Sequence, residues 1–171
     1  MHLLPVLLSI AGFSQVALAH YRFAFLNGGA EYQNIRRNTN FNSPITSLSD
    51  ANLRCNEGGL SSNGATVLNI AAGSSVTFKL DQAVYHQGPL QWYLGKAPGD
   101  VRQWDGSGAN WFKFAAEGPT FSGGSVSWPM RDTYTTTLPG SIPAGQYLLR
   151  IEQLGIHNPG SEPQLYLVRA E

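Results

Sequence analysis

Three histidines, one glutamine and one tyrosine carry the chemistry this sequence offers: His20, His86, His157, Gln164 and Tyr166. His20 follows nineteen residues that end in Ala17-Leu18-Ala19, the small-x-small pattern read by signal peptidase, so cleavage there makes histidine the first residue of the mature chain. An N-terminal histidine offers one metal two nitrogens, its α-amine and its Nδ1. The amine titrates near ~8 and the imidazole near ~6.5, so both nitrogens are accessible in deprotonated form at mildly acidic to neutral pH, and a metal competes further with the protons. One imidazole nitrogen from His86 would complete a roughly planar T of three nitrogens. That arrangement suits Cu(II) better than zinc, which prefers a tetrahedral shell. Plainer readings stand beside these, an ordinary exposed terminus for His20 and a surface or hydrogen-bonded turn residue for His86.

The remaining candidates lie further along the chain. Gln164-Leu165-Tyr166 falls on a predicted strand, where period-two alternation puts Gln164 and Tyr166 on one face. Tyr166 could then take an axial position at a metal, with Gln164 and His157 donating hydrogen bonds to a bound oxygen species. Taken singly, Tyr166 reads equally as a half-buried strand aromatic, His157 as a loop residue and Gln164 as solvent-facing.

These residues must be positioned by β-structure. Nineteen glycines and ten prolines punctuate short β-rich runs, and no window sustains a helical repeat. Strands are expected at 21–26, 66–70, 75–80, 90–94, 111–114, 125–128, 133–138, 146–153 and 164–169. The clearest alternation sets Val76, Phe78 and Leu80 against Ser75, Thr77 and Lys79, one buried face and one wet face. Tyr85-His86-Gln87-Gly88-Pro89 lies between two of these strands, and its Gly-Pro turn can hold an imidazole at a sheet edge. Nine short strands in this length predict an all-β, immunoglobulin-like or fibronectin III-like antiparallel β-sandwich with long loops. Removal of nineteen residues from 171 leaves 152, enough for one domain with a core, so the organisation expected is a signal peptide over 1–19 and a single catalytic domain over 20–171.

Charge narrows the partners. Eleven basic residues balance eleven acidic ones and only 13% of residues are charged, so no electrostatic footprint for nucleic acid or an anionic membrane is present. A neutral polysaccharide fits this composition, because aromatic faces and hydroxyl hydrogen bonds replace charge. The export signal implies a secreted, extracellular product. Its apolar run is too short and interrupted to span a bilayer, and the product is expected to act as a monomer. The single cysteine, Cys55, cannot close an internal disulfide; it reads either as a thiol that has lost its partner or as a small buried apolar residue.

Taken together the residues resemble the fungal copper-dependent lytic polysaccharide monooxygenases of auxiliary activity family nine. The resemblance rests on His20-Tyr21, Ile35-Arg36-Arg37, Asn42-Ser43-Pro44, Arg54-Cys55-Asn56, His86-Gln87-Gly88-Pro89 and Trp111-Phe112-Lys113. It continues through Pro143-Ala144-Gly145-Gln146-Tyr147, Leu149-Arg150, Glu152, His157 and Gln164-Leu165-Tyr166. These blocks keep the family's order across the mature chain. The resemblance implies one copper ion held by His20 and His86 with Tyr166 axial, and His157 and Gln164 as the pair that positions oxygen. It also implies oxidative cleavage of β-1,4-glucan, cellulose above all, at C1 or C4 with O2 or H2O2. A small-molecule reductant or a redox enzyme would donate the electrons.

Two departures accompany the resemblance. Arg169 stands where the family carries the cysteine that pairs with the one matching Cys55, and the sequence stops at Glu171, which implies a version shortened at the C-terminus. Ile151 stands where many members have histidine. Two further functions keep the same residues without the oxidation, namely a copper-binding protein lacking catalysis and a noncatalytic carbohydrate-binding module.

Overall fold

The computed structural model describes residues 20–158 and 160–171. The expected export signal over 1–19 lies outside the described residues. The described residues form nine strands: β1 (Phe23–Leu26), β2 (Ser75–Leu80), β3 (Leu90–Lys96), β4 (Trp111–Glu117), β5 (Thr120–Ser122), β6 (Ser125–Ser127), β7 (Thr133–Thr137), β8 (Tyr147–Gly155) and β9 (Gln164–Ala170). Two short 3-10 turns, Ala51–Arg54 and Val101–Gln103, are the only helical elements among the described residues. All strand pairings are antiparallel. One sheet runs β1-β2-β7, the second β4-β3-β8-β9, and β5-β6 make a separate hairpin.

The two larger sheets face each other across one core. Val76, Phe78 and Leu80 point inward from β2, as their alternation predicts, and meet Leu90, Trp92 and Leu94 of β3, Leu149 and Ile151 of β8, and Tyr166 and Val168 of β9. Burial of each such side chain is worth about 1.5–3 kcal/mol relative to leaving it in water. Strand β8 is covered on both faces. Its Leu149 and Ile151 enter the main core, while Leu148 packs against Val101 and Trp104 on the opposite side.

Two strand assignments change. Residues 66–70 have strand-like side chains but form no ladder: the Thr66 amide donates to the Gln33 carbonyl and the Leu68 amide to that of Glu171, single bonds to two different segments. Conversely, β5 forms at Thr120–Ser122, because two glycines at the tip let the chain fold straight back onto β6.

The free edge of β9 is covered by the long connection that follows β1. Ile35 bridges Ala170 and Ile45 bridges Leu165, which leaves little of that edge open for pairing with another chain. Arg36 anchors this cover from a fully buried position. Its Nε donates to Glu171 Oε1 at 2.8 Å and its Nη2 to the Val101 carbonyl at 2.7 Å.

Candidate metal centre

The five candidate residues come from four segments and meet at one end of the sandwich. His20 and Tyr21 lead into β1, His86 lies in the connection before β3, His157 follows β8, and Gln164 and Tyr166 open β9. Local physics fixes each of them. The His86 turn is an extension of the β3–β8 pairing: Leu154 donates to the Pro89 carbonyl at 3.0 Å and Ile156 to that of Gln87 at 2.9 Å. Gly88 allows this approach. A Cβ there would lie 1.7 Å from the Leu154 carbonyl oxygen, and its φ of 149° is one L side chains seldom adopt.

The rings form a tight group. The His20 and His86 imidazoles are 6.2 Å apart between centroids and nearly perpendicular, at 76°. The Tyr166 ring lies 6.0 Å from His20 and 5.6 Å from His86. His157 stacks on His86 at 3.6 Å with the planes 6° apart. Tyr166 donates its hydroxyl to Gln164 Oε1 at 2.8 Å, so the shared face expected from strand alternation is realised. Tyr21 stacks beneath Tyr166 at 4.3 Å.

Burial dominates the electrostatics here. It raises the Tyr166 phenol above the ordinary tyrosine range. The Tyr21 phenol is raised by burial first and by its neighbour Tyr166 second. Both rings are therefore neutral hydroxyl groups across the physiological range. The His157 Nδ1 is buried without a hydrogen-bond partner, while its Nε2 faces the Asn158 amide at 3.3 Å.

These donors fit a small, nitrogen-preferring ion. Bonds of about 2 Å from one ion to two imidazoles put the ring centroids at most roughly 6 Å apart, close to the separation found here. Among the described residues no group of three or more His, Cys, Asp or Glu side chains is placed to hold a metal. An ion between His20 and His86 would therefore need a further donor of another kind. The His20 α-nitrogen is amide in the unprocessed chain and becomes an amine when Ala19 is removed. Copper meets such a donor set better than calcium or magnesium, which seek oxygen.

The positioning roles of Tyr21, Gln153 and Asn42 were not legible from the sequence, although Tyr21 and Asn42 lie in the blocks quoted above. Tyr21 donates its hydroxyl to Gln153 Oε1, and Gln153 Nε2 donates to the His86 carbonyl at 3.2 Å, so one buried amide ties the first strand to the His86 turn. Asn42 donates to the His20 carbonyl at 3.3 Å. For Gln153 the signal was its place on the inward face of β8, in step with Leu149 and Ile151.

The family model of Auxiliary Activity family 9 (formerly GH61) matches residues 12–170. The chain belongs to Auxiliary Activity family 9. Among family 9 relatives, lytic polysaccharide monooxygenase E of Podospora anserina is 49% identical over 96% of this chain and 58% of its own length. Lytic polysaccharide monooxygenase A of Botryotinia fuckeliana is 46% identical over 91% of the chain and 50% of its own length. The chain thus spans little more than half the length of these relatives. A cellulose-active polysaccharide monooxygenase from M. thermophila superposes with a TM-score of 0.76 at 27% identity, over 88% of this chain and 76% of that one. The β-sandwich is the fold of this family.

Arg169 lies where the resemblance implies a cysteine opposite Cys55. Its guanidinium is fully buried, with Nη1 2.8 Å from the Cys55 sulfur and the carbon centre 4.0 Å from the Trp111 ring centroid. Burial pulls its pKa down to about 9. Burial also pushes the Cys55 thiol up, against the opposing pull of Arg169 and Arg36.

Proposed function

We propose that the secreted, processed chain is a copper-dependent lytic polysaccharide monooxygenase acting on β-1,4-glucan. The observation that carries this is the perpendicular pair of imidazoles, one from the residue that processing makes N-terminal, with a buried tyrosine ring at 5.6–6.0 Å from both. His20, through its amine and ring, and His86 would hold one copper ion, with the Tyr166 ring beside both imidazoles. Bound copper would supply the one-electron redox chemistry that activates O2 or H2O2 once an external reductant has donated.

The chain's own residues set the geometry. Gln153 and Tyr21 fix the His86 backbone, and Asn42 fixes that of His20. Tyr166 keeps its phenolic proton because burial disfavours the phenolate, and its hydroxyl donates a hydrogen bond to Gln164 Oε1. Gln164 Oε1 is thereby engaged, which leaves its amide nitrogen free in orientation to donate toward a small oxygen ligand. His157, held parallel to His86, places a second donor beside it. Cellulose is the substrate favoured by the cellulose-active relative and by the low charge of the chain. The protein acts outside the cell as a monomer.

N-terminal sequencing of the secreted protein should read His-Tyr-Arg-Phe, copper should bind one to one, and electron paramagnetic resonance should show three nitrogen donors. Ascorbate and cellulose should then yield C1- or C4-oxidised oligosaccharides. Stoichiometric copper binding with no oxidised product from any β-glucan would refute the enzyme reading.

A further inference from the structure

At three positions a side-chain amide or carboxylate is followed directly by glycine: Asn27-Gly28, Asn63-Gly64 and Asp105-Gly106. Because glycine carries no Cβ, its backbone nitrogen can approach the preceding side-chain carbonyl carbon and close a five-membered ring. Asn27 and Asn63 share one local backbone. Each opens a two-residue turn with both central φ positive, 48° and 74° at Asn27-Gly28 and 51° and 85° at Asn63-Gly64. Each turn is closed by one amide–carbonyl bond, Gly29 to Leu26 at 2.9 Å and Ala65 to Ser62 at 3.0 Å. Both asparagines are exposed, and a Cβ on either glycine would meet open space. Neither the dipeptide nor the turn type separates them.

The contacts of the side chains do. Asn63 is held at both ends of its amide: Nδ2 donates to the Gly58 carbonyl at 2.6 Å and to that of Arg37 at 3.3 Å, and Oδ1 accepts from the Ser61 hydroxyl at 2.7 Å. Turning its carbonyl carbon toward the Gly64 nitrogen breaks all three bonds. Asp105 is held as well, accepting from Ser107 at 2.9 Å and from Arg54 at 2.6 Å. Those bonds lower its pKa to about 2, and an ionised carboxylate carries no leaving group. Gly106 is also crowded, since a Cβ there would lie 1.8 Å from Arg169 Nη1. Asn27 differs from both. Its Oδ1 accepts a single bond, from the Thr77 backbone amide at 2.8 Å, and its Nδ2 makes no hydrogen bond to any described residue. The Thr77 N–H therefore sits where negative charge gathers when a nucleophile adds to the Asn27 carbonyl carbon, as a donor in an oxyanion hole does. The leaving nitrogen faces water.

We propose that Asn27 is a self-modification site, at which the Gly28 nitrogen displaces the side-chain amide and residue 27 becomes aspartate or isoaspartate. The Gly28 nitrogen bonds to Asn27 Cγ and gives up its proton to a solvent base. The Cγ–Nδ2 bond breaks, and Nδ2 takes a proton from water and leaves as ammonia. Water then opens the ring; cleavage at Cγ gives aspartate, and cleavage at the main-chain carbonyl gives isoaspartate. One water is consumed, one ammonia is released, and no oxidant or reductant takes part. Either product adds a negative charge to a chain whose formal charges balance. Isoaspartate also adds a methylene to the main chain where the Asn27 amide, bonded to the Thr77 carbonyl at 2.8 Å, extends the β1–β2 pairing.

The test incubates the secreted protein without reductant at mildly alkaline pH and follows residues 27, 63 and 105 by peptide mass spectrometry, beside a sample unfolded in urea. In the folded protein Asn27 should convert about tenfold faster than Asn63, the ratio expected from two fewer hydrogen bonds to break. Asp105 should yield no isoaspartate while folded. In urea the rates at Asn27 and Asn63 should converge. Ser61→Ala, which removes one restraint on Asn63, should speed conversion at 63 and leave that at 27 unchanged. Equal rates at Asn27 and Asn63 in the folded protein would overturn the proposal, as would a difference that persists in urea, because the Thr77 and Nδ2 environments would then not select the site.

Discussion

At the residue scale, the centre depends on hydrogen bonds that sequence spacing does not reveal. Gln153 is 1% exposed and uses both ends of its amide, accepting from Tyr21 and donating to the His86 carbonyl. Gln153→Leu keeps the volume but leaves the buried Tyr21 hydroxyl without its acceptor, a loss of about 1–3 kcal/mol. It also frees the His86 turn from β8. Copper affinity should fall by about 10- to 100-fold, the range typical for residues that orient metal ligands. Titration calorimetry and thermal unfolding separate the two effects. A destabilised variant with undiminished copper affinity would show that Gln153 supports the sandwich without positioning His86.

At the element scale, strand β9 serves the site with one face and the loop cover with the other. Tyr166 faces His20 and His86 and bonds to Gln164 on the same face, whereas Leu165 and Leu167 pack on Ile45, and Arg169 reaches Cys55. Arg169 buries Nε and Nη2 without hydrogen-bond partners, so this contact leaves a buried cation poorly satisfied. Arg169→Cys should place a second thiol on β9 facing Cys55, as the family resemblance implies. The expected result is a disulfide with Cys55 and a gain of about 2–4 kcal/mol. Thiol counting under denaturing conditions, followed by urea unfolding, checks both; two free thiols would mean that the segment around Cys55 cannot move in to close the bond. The legibility of the elements follows the same physics. Strand β2 could be read because alternation over 75–80 records one core face, whereas 66–70 carries strand-like residues whose partners lie on two separate segments, a fact held only in the tertiary structure. That His20, His86, His157, Gln164 and Tyr166 belong together was legible in the sequence, and the structure brings the five side chains into one group.

At the scale of the whole molecule, the core is unusually rich in buried phenols, and this sets how stability should change with pH. Burial raises Tyr21, Tyr32, Tyr93, Tyr134 and Tyr166 above the ordinary value of 10.0, and it raises the Cys55 thiol above 9.0. Each is an acid whose folded form keeps its proton longer than the unfolded form. Between the two pKa values the unfolded chain binds fewer protons, so stability is fully present below the unfolded value and is lost as pH rises through it. Arg169 acts in the opposite sense. Its folded pKa near 9 lies below the unfolded value, so the unfolded chain holds the extra proton and stability grows as pH rises above about 9. Five tyrosines and one thiol oppose one arginine, and the net slope above about pH 10 should be downward. Urea midpoints of the metal-free protein at pH 8, 9, 10 and 10.5 should stay nearly level to pH 9 and then fall. In Arg169→Met, which lacks the opposing group, the fall should be steeper. A midpoint that rises between pH 9 and 10.5 in wild type would mean that the buried cation, rather than the phenols, governs the alkaline limb.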